Sequence, residues 1–207
     1  PSQFDDSVNT IGFGIDVFSG AQQSSTNAGE TSVLVHHGAT DAPTVDVVNN
    51  DNPTPPLVDD ISYTEFDGYL DLPSQDYTIN VEAADNSAVV KSYEADLSGL
   101  TDEAITVVAS GFLDPDANQG GEAFGLWVAS PQGGPLTELP EATAEVQVIH
   151  NSPDPATSSV DVYLDGALLP ALTGVNFRQA SAFLDAPANV DITIDVVPAG
   201  DPLSNSV

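Results

Sequence analysis

Two histidines each precede an aspartate by four residues, His37 before Asp41 and His150 before Asp154. A histidine beside a carboxylate can bind a metal ion or exchange protons in acid–base catalysis. The pair also has a structural use, because a strand-end imidazole that bonds the aspartate of the following turn fixes that turn. No nucleophile or third metal ligand lies nearby in the sequence, so the structural use is favoured.

The acidic segment 114–122 is the best local candidate for a metal site. Its candidate ligands are Asp114, Asp116, Asn118 and Glu122. Oxygen-bearing side chains at alternate positions of a short loop, with glycine close behind, suit Ca²⁺. The first glycine comes one position later than in a standard calcium loop, and the standard closing glutamate is missing. Both a calcium site and a solvated acidic turn remain open, and the turn is favoured.

No other pattern in the chain indicates catalysis. The chain has no cysteine, which excludes thiol chemistry, disulfide bonds and cysteine-ligated metals. It also lacks the Gly-x-Ser-x-Gly turn of serine hydrolases and the glycine-rich loops that bind phosphates or dinucleotides. We therefore predict that the chain is not an enzyme and has no catalytic residues.

The chain is strongly acidic, with 32 aspartates and glutamates against 2 lysines and arginines, and a net charge of −30. So few cations cannot neutralise phosphates, which excludes nucleic acids as partners and argues against docking on an anionic membrane. No apolar run approaches the roughly 18 residues that a membrane span requires. The acidic surface suits a medium of high ionic strength.

A repeat of about 113 residues runs through the chain. Four segments recur in the same order: Val35–Pro43 as Val148–Pro155, Val45–Val47 as Val160–Val162, Tyr69–Pro73 as Phe183–Pro187, and Tyr77–Val81 as Ile192–Val196. Small loop insertions explain the slight drift of the offset. The repeat predicts a complete module at residues 30–140 and the front part of a second module at residues 141–207.

The N-terminal segment has a later counterpart too, since Phe13–Val17 resembles Phe124–Val128. Residues 1–29 are therefore expected to be the last strand and linker of a preceding or neighbouring module. Two explanations are open: the chain is a window of a longer tandem array, or it is a subunit that its neighbours complete by β-strand addition. In the second case Phe13, Ile15 and Val17 form the polymerisation strand, and the second module accepts it.

The periodicity of the chain is that of strands, because apolar and β-branched residues alternate or run together between clusters of Pro, Gly, Asn and Asp. The predicted strands are Ser32–His36, Thr44–Val48, Tyr77–Ala83, Ile105–Ser110, Phe124–Ala129, Glu145–His150, Val160–Leu164 and Asp191–Val197. Asp165-Gly166 indicates a tight hairpin. The sequence predicts an all-β protein of tandem immunoglobulin-like or Greek-key β-sandwiches, with the N- and C-terminal modules incomplete in this chain.

Several of these segments resemble the domain of unknown function 4397 (DUF4397) family. The resemblance rests on the His37–Val47 opening, on Tyr69–Pro73 followed by Tyr77–Val81, and on Ile105–Gly111; Ile149–Gly166 is a closer copy of the opening. It implies β-sandwich modules of bacterial or archaeal cell surfaces, often in tandem, without an established catalytic activity.

These observations together lead to an expectation about function. We expect a structural subunit of an extracellular filament, stalk or surface adhesin, located outside the cell or on the surface of a prokaryote. Its partners are copies of itself or adjacent modules of a longer chain. The alternative is a calcium-dependent cell-surface module that binds a glycan or another ligand, with Ca²⁺ as its only candidate cofactor.

Overall fold

The computed structural model describes residues 14–85 and 88–206. The chain divides between Glu141 and Ala142 into two compact units, unit 1 (residues 1–141) and unit 2 (residues 142–207). The predicted all-β class is confirmed, because the regular elements among the described residues are strands and three-residue 3₁₀ helices. Within the same residues, no helix combines the length and apolar character needed to cross a membrane.

Unit 1 is a β-sandwich of two sheets. Its strands are β1 (Glu30–His37), β2 (Val45–Asn49), β3 (Val58–Ile61), β4 (Phe66–Pro73), β5 (Asp76–Ala83), β6 (Val89–Asp96), β7 (Ala104–Ser110), β8 (Gly125–Ala129) and β9 (Thr137–Glu138). One sheet has the order β4-β1-β7-β8-β9, and the other has the order β3-β2-β5-β6. β1 runs parallel to β7 and antiparallel to β4.

The core of unit 1 combines side chains from both sheets. Val33 and Ile105 contribute from the five-stranded sheet, and Val45, Ile79 and Val81 contribute from the four-stranded sheet. These residues recur at every second position because successive strand residues point to opposite faces of a sheet. A fully buried side chain of this size stabilises the fold by roughly 1.5–3 kcal/mol, so the alternation holds the two sheets together.

The segment before β1 packs against the side of β4 that faces away from this core. The Phe18 ring lies 5.4 Å from the ring of Phe66 and 6.1 Å from that of Tyr69. The backbone N–H of Gln22 donates to the Tyr69 hydroxyl at 2.8 Å. Residues 18–22 are therefore anchored on unit 1.

The last residues of unit 1 cover the outer edge of β6. The N–H of Glu94 donates to the carbonyl of Pro140 at 2.9 Å, and Tyr93 forms a bridge with Glu141. The Lys91 ammonium donates to the Glu141 carboxylate. An edge that would otherwise present unpaired backbone groups is partly closed in this way.

Unit 2 is smaller and has short strands. They are β10 (Thr143–Val146), β11 (Ile149–His150), β12 (Ser159–Leu164), β13 (Ala167–Leu168), β14 (Val175–Asn176), β15 (Gln179–Ala180), β16 (Leu184–Pro187) and β17 (Ile194–Pro198). β10 pairs with β16 and β11 with β15, while β12 pairs with β13, β14 and β17. Its buried core cluster consists of Val160, Val162, Leu172 and Val175.

The predicted hairpin of unit 2 is confirmed. Asp165 and Gly166 alone connect β12 to β13, with φ angles of +47° and +79°. A two-residue loop with two positive φ angles matches the right-handed twist of the strands, and glycine adopts such an angle without strain.

Strand pairing repeats between the two units. When two residues of unit 1 pair across neighbouring strands, their counterparts in the sequence repeat also pair with each other in unit 2. Examples are Val33–Leu70 and Val146–Leu184, Val45–Ile61 and Val160–Val175, and Val47–Val81 and Val162–Val196. Unit 2 thus has counterparts of the first five strands of unit 1. β10–β11 corresponds to β1, β12 to β2, β14 to β3, β16 to β4 and β17 to β5.

Candidate functional site

His37 lies at the end of β1 and is only 1% exposed. Its Nε2–H donates to the carbonyl of Pro43 at 3.0 Å, which closes the loop that follows the strand. The imidazole thus bonds a backbone carbonyl and not Asp41. The other ring nitrogen, Nδ1, is buried without a hydrogen-bond partner among the described residues.

His150 has the same arrangement at the corresponding place in unit 2. Its Nε2–H donates to the carbonyl of Thr157 at 2.6 Å, and its Nδ1 accepts from the N–H of Ser152 at 3.4 Å. The Asp154 carboxylate accepts from the N–H of Ala156 at 2.9 Å and caps a 3₁₀ helix over Pro155–Thr157. Both histidines therefore close a loop by bonding its carbonyl, and neither bonds the aspartate four residues later.

Asp41 contacts a distant loop. Its carboxylate accepts hydrogen bonds from the N–H of Leu113 at 2.9 Å, the N–H of Asp114 at 3.1 Å and the side-chain amide of Asn118 at 3.0 Å. These donors belong to the acidic segment between β7 and β8. Asp41 therefore joins the loop after β1 to the segment that the sequence marks as a candidate calcium loop.

The acidic segment itself is organised as a turn. The Asp114 carboxylate accepts from the N–H of Ala117 at 3.0 Å, and the Asn118 amide donates to the Asp114 carbonyl at 2.8 Å. Within residues 14–85 and 88–206, no group of three or more His, Asp or Glu side chains is arranged to hold a metal ion. The structure thus brings Asp114 and Asn118 together through Asp41, without assembling them with Asp116 and Glu122 into a metal-holding group.

Two buried aspartates were missed by the sequence analysis. Asp46 and Asp161 are 7% and 9% exposed and occupy corresponding positions of β2 and β12. Asp46 accepts from the N–H of Asp60 at 2.7 Å, and Asp161 accepts from the N–H of Gly174 at 2.7 Å. A buried carboxylate needs such donors, because otherwise its desolvation costs several kcal/mol. The signal that could have found them is the Val-Asp-Val triplet in both copies.

Tyr93 belongs to the hydrophobic core cluster of unit 1, and its side chain is fully buried. Its hydroxyl oxygen has no partner among the described residues. Burial, and after it the carboxylates of Glu141 and Glu138, raises the pKa of Tyr93 well above its ordinary value. The hydroxyl therefore stays protonated and is no candidate base.

The interior of unit 1 contains an apolar cavity of about 90 Å³. Valine, leucine and isoleucine side chains of both sheets form most of its lining, together with His37. The cavity is smaller than the engineered apolar cavities of about 150 Å³ that bind benzene. Its lining offers no constellation of polar groups for catalysis.

The predicted polymerisation strand lies near the beginning of the described chain. Phe13 is outside the described residues. The side chains of Ile15 and Val17 are 78% and 79% exposed, and no strand is assigned to residues 14–17. The Asp16 carboxylate lies 3.6 Å from the His36 imidazole. Two apolar side chains are therefore presented to solvent beside an anchored segment.

Unit 2 exposes residues whose counterparts in unit 1 are buried. Val33 is 6% exposed and its counterpart Val146 is 38% exposed, while Ile79 is 8% exposed and its counterpart Ile194 is 57% exposed. In unit 1, β7 pairs with the second edge of β1, and β6 pairs with the second edge of β5. Among the described residues, no strand pairs with the corresponding edges of β10–β11 and β17 in unit 2.

Comparison with known proteins supports the resemblance noted in the sequence. A family model described as Domain of unknown function (DUF4397) matches residues 31–121, from β1 to the acidic loop before β8. No curated protein and no solved structure matches the chain. The matched segment contains His37, Asp41 and the loop that Asp41 binds. The resemblance to the DUF4397 family that the sequence predicted is therefore confirmed over residues 31–121.

Proposed function

We propose that this chain is a structural subunit of an extracellular filament, stalk or surface adhesin of a prokaryote. Its tandem β-sandwich modules assemble by β-strand addition. Copies of the chain, or adjacent modules of a longer one, are its partners.

The observation that carries the proposal is the difference in exposure between corresponding residues of the two units. Ile194 is 57% exposed in unit 2, whereas Ile79 is 8% exposed in unit 1. Burying such a side chain stabilises a protein by roughly 1.5–3 kcal/mol. Covering the exposed apolar side chains of unit 2 with another strand would therefore favour association. Unpaired strand edges beside exposed apolar side chains are where another strand adds.

A structural role also agrees with the chemistry of the polar groups. The imidazoles of His37 and His150 bond loop carbonyls, and the Asp46 and Asp161 carboxylates bond backbone N–H groups. These side chains stabilise loops and strands and do not converge on a polar pocket. With only Lys91 and Arg178 as cationic side chains, the chain offers few cleavage sites to trypsin-like proteases, which suits a location outside the cell.

The test is the state of association of the purified chain. Sedimentation velocity and negative-stain electron microscopy should show assemblies larger than the 21.4-kDa monomer. The assembled fraction should grow with salt concentration, because salt screens the repulsion between copies of net charge −30.

A pair of matched valine variants serves as control. Val33→Ala should destabilise unit 1 by about 2 kcal/mol because Val33 is a core residue. Val146→Ala should destabilise the monomer less than Val33→Ala does, because Val146 is 38% exposed, and it should weaken the assembly. A chain that remains a monomer at all concentrations and salt levels would contradict the proposal.

A further inference from the structure

We infer that the interior cavity of unit 1 is a binding site for a small aliphatic molecule that carries one hydroxyl group, such as a short-chain alcohol. The carbon atoms of this ligand lie among apolar side chains, and its hydroxyl donates a hydrogen bond to Nδ1 of His37. The inference goes beyond the proposed function and is independent of it, because every residue that carries it belongs to the core of unit 1.

The cavity lies between the two sheets of unit 1. Val33 and Val35 line it from the five-stranded sheet, and Val45 and Val81 line it from the four-stranded sheet. His37 also belongs to the lining. Since every second residue of a strand points to the same face, β1 presents Val33, Val35 and His37 to the interior. The imidazole therefore adds a polar group to a wall that is otherwise built of apolar side chains.

Nδ1 of His37 is a hydrogen-bond acceptor without a donor. The Nε2–H of the same ring donates to the carbonyl of Pro43 at 3.0 Å, so in the neutral imidazole Nδ1 carries the lone pair. Among the described residues, the buried side-chain atoms without a partner belong to Gln22, His37 and Tyr93, and of these three residues His37 alone lines the cavity. A buried acceptor without a donor costs free energy, so a ligand that brings a donor is favoured.

Other polar side chains of the lining already have partners. Nδ1 of His36 bonds the carbonyl of Glu65 at 3.0 Å, and the Asp96 carboxylate accepts from the N–H and the hydroxyl of Ser98. The hydroxyl of Tyr77 donates to a backbone carbonyl at 2.9 Å. A ligand in the cavity therefore finds Nδ1 of His37 as the polar side-chain atom that still needs a partner.

The second copy of the repeat satisfies the corresponding nitrogen differently. Nδ1 of His150 accepts from the N–H of Ser152 at 3.4 Å. Ala39 occupies the place of Ser152 in unit 1, and its N–H does not bond Nδ1 of His37. Closing a loop through Nε2 is thus common to both histidines, whereas the unsatisfied acceptor on the cavity wall is particular to unit 1.

The volume of the cavity sets the size of the ligand. An apolar cavity of about 150 Å³ holds benzene, which has six carbon atoms, so a cavity of about 90 Å³ suits about three or four non-hydrogen atoms. Ethanol and the propanols have this size. Water suits the cavity less well, because a buried water needs about two to four polar partners. A ligand this small should bind with a dissociation constant on the order of 1 mM.

The experiment is an NMR titration of the full chain with 2-propanol, at low salt, where charge repulsion keeps copies apart. Acetone is the matched control ligand, because it has the same number of non-hydrogen atoms and no hydroxyl donor. 2-Propanol should shift the methyl resonances of Val33 and Val81 and the Nδ1 resonance of His37 along one saturable curve. Acetone should bind about tenfold more weakly, since it leaves Nδ1 without a donor. Nδ1 of His150 is the internal control and should not shift.

A variant with a smaller cavity tests the location of the site. Val81→Ile adds one methyl group to the wall and should remove the saturable shifts. Val48→Ile is the matched control, because Val48 is also buried but does not line the cavity, and it should bind 2-propanol like the unmodified chain. Thermal unfolding checks that both variants fold, and the comparison of the two ligands on the unmodified chain does not depend on them.

Three results would overturn the inference. They are shifts that grow linearly with 2-propanol and do not saturate, equal affinity for acetone and 2-propanol, and unchanged binding in a folded Val81→Ile chain. None of them bears on the association of copies, so the proposed function would stand or fall separately.

Discussion

The carboxylate of Asp41 accepts a hydrogen bond from the side-chain amide of Asn118 at 3.0 Å, although the two residues are 77 positions apart. The same carboxylate accepts two backbone N–H groups of the Asn118 loop. One charged group therefore serves three donors and holds two loops of unit 1 together. This contact gives the His-x-x-x-Asp motif of unit 1 a structural task that involves the aspartate and the distant loop.

Asp41→Ala should lower the free energy of unfolding of unit 1 by about 1–2 kcal/mol, since hydrogen bonds to a charged group are worth about 1.5–3 kcal/mol and this one is solvent-exposed. Urea unfolding measures the change. Asp116→Ala is the matched control, because the Asp116 carboxylate takes no part in the Asp41 contacts. Equal stability losses in the two variants would contradict the assigned role of Asp41.

His37→Phe should destabilise unit 1 by about 1–3 kcal/mol, because the carbonyl of Pro43 loses its donor and the buried site must accept a larger ring. Urea unfolding with and without Zn²⁺ provides the measurement. We expect Zn²⁺ to leave the unmodified chain's midpoint unchanged. A zinc-dependent rise that disappears in His37→Phe would instead support a metal role for this histidine.

Calcium tests the alternative function. Because Asp114 and Asn118 serve turn hydrogen bonds, Ca²⁺ and Mg²⁺ should raise the melting temperature equally, by screening the net charge of −30. Asp114→Asn with Asp116→Asn should not change this response, and Asp59→Asn with Asp60→Asn is the control. A rise of the melting temperature that is specific to Ca²⁺, and that only Asp114→Asn with Asp116→Asn removes, would support the alternative of a calcium-dependent binding module.

Asp76→Asn should raise the melting temperature at pH 7. Asp76 stands opposite Asp96 on β5 and β6. The hydrogen bond with Asp96 and then its negative charge raise the pKa of Asp76, whereas the Ser98 hydroxyl and then its N–H lower the pKa of Asp96. Since the folded-state pKa of Asp76 is raised, its favourable contribution exists at acid pH and is lost as the pH rises through that pKa.

The gain from Asp76→Asn should therefore shrink as the pH falls through the raised pKa of Asp76, and also at high salt, which screens exposed charges. Differential scanning calorimetry across this pH range checks the trend. Asp96→Asn is an informative comparison, because it removes the same repulsion but weakens the hydrogen bonds from Ser98. A gain from Asp76→Asn that is independent of pH would refute the electrostatic explanation.

The strands that the sequence predicted share a dense run of β-branched residues. β2, β5, β7 and β12 are examples, and their alternation or apolar runs indicate burial on at least one face. β4 and β6 were not predicted. β4 contains Gly68 and Asp71, and β6 contains Lys91 and Glu94, residue types that are poor in strands. Pairing with β1 and β5 makes these segments strands, and pairing between distant segments is not visible in local periodicity.

For the candidate sites, as for the strands, the sequence predicted local positions but not the contacts between distant segments. The positions of His37 and His150 at strand ends follow from the repeat, but their carbonyl partners do not. The contact of Asp41 with Asn118 joins segments that the sequence treats as independent. The strand boundaries also differ in unit 2, where the predicted strand Glu145–His150 is split into β10 and β11.

The amino-acid sequence alone determined the all-β class, the repeat, the hairpin at Asp165-Gly166 and the DUF4397 resemblance. These properties depend on local alternation, turn chemistry and residue order, which can be read directly from the amino-acid sequence. Only the tertiary structure decided which edges are paired and which side chains are exposed. The reason is that burial of Val33 and exposure of Val146 depend on whether a distant strand lies beside them, although the two valines occupy the same place in the repeat.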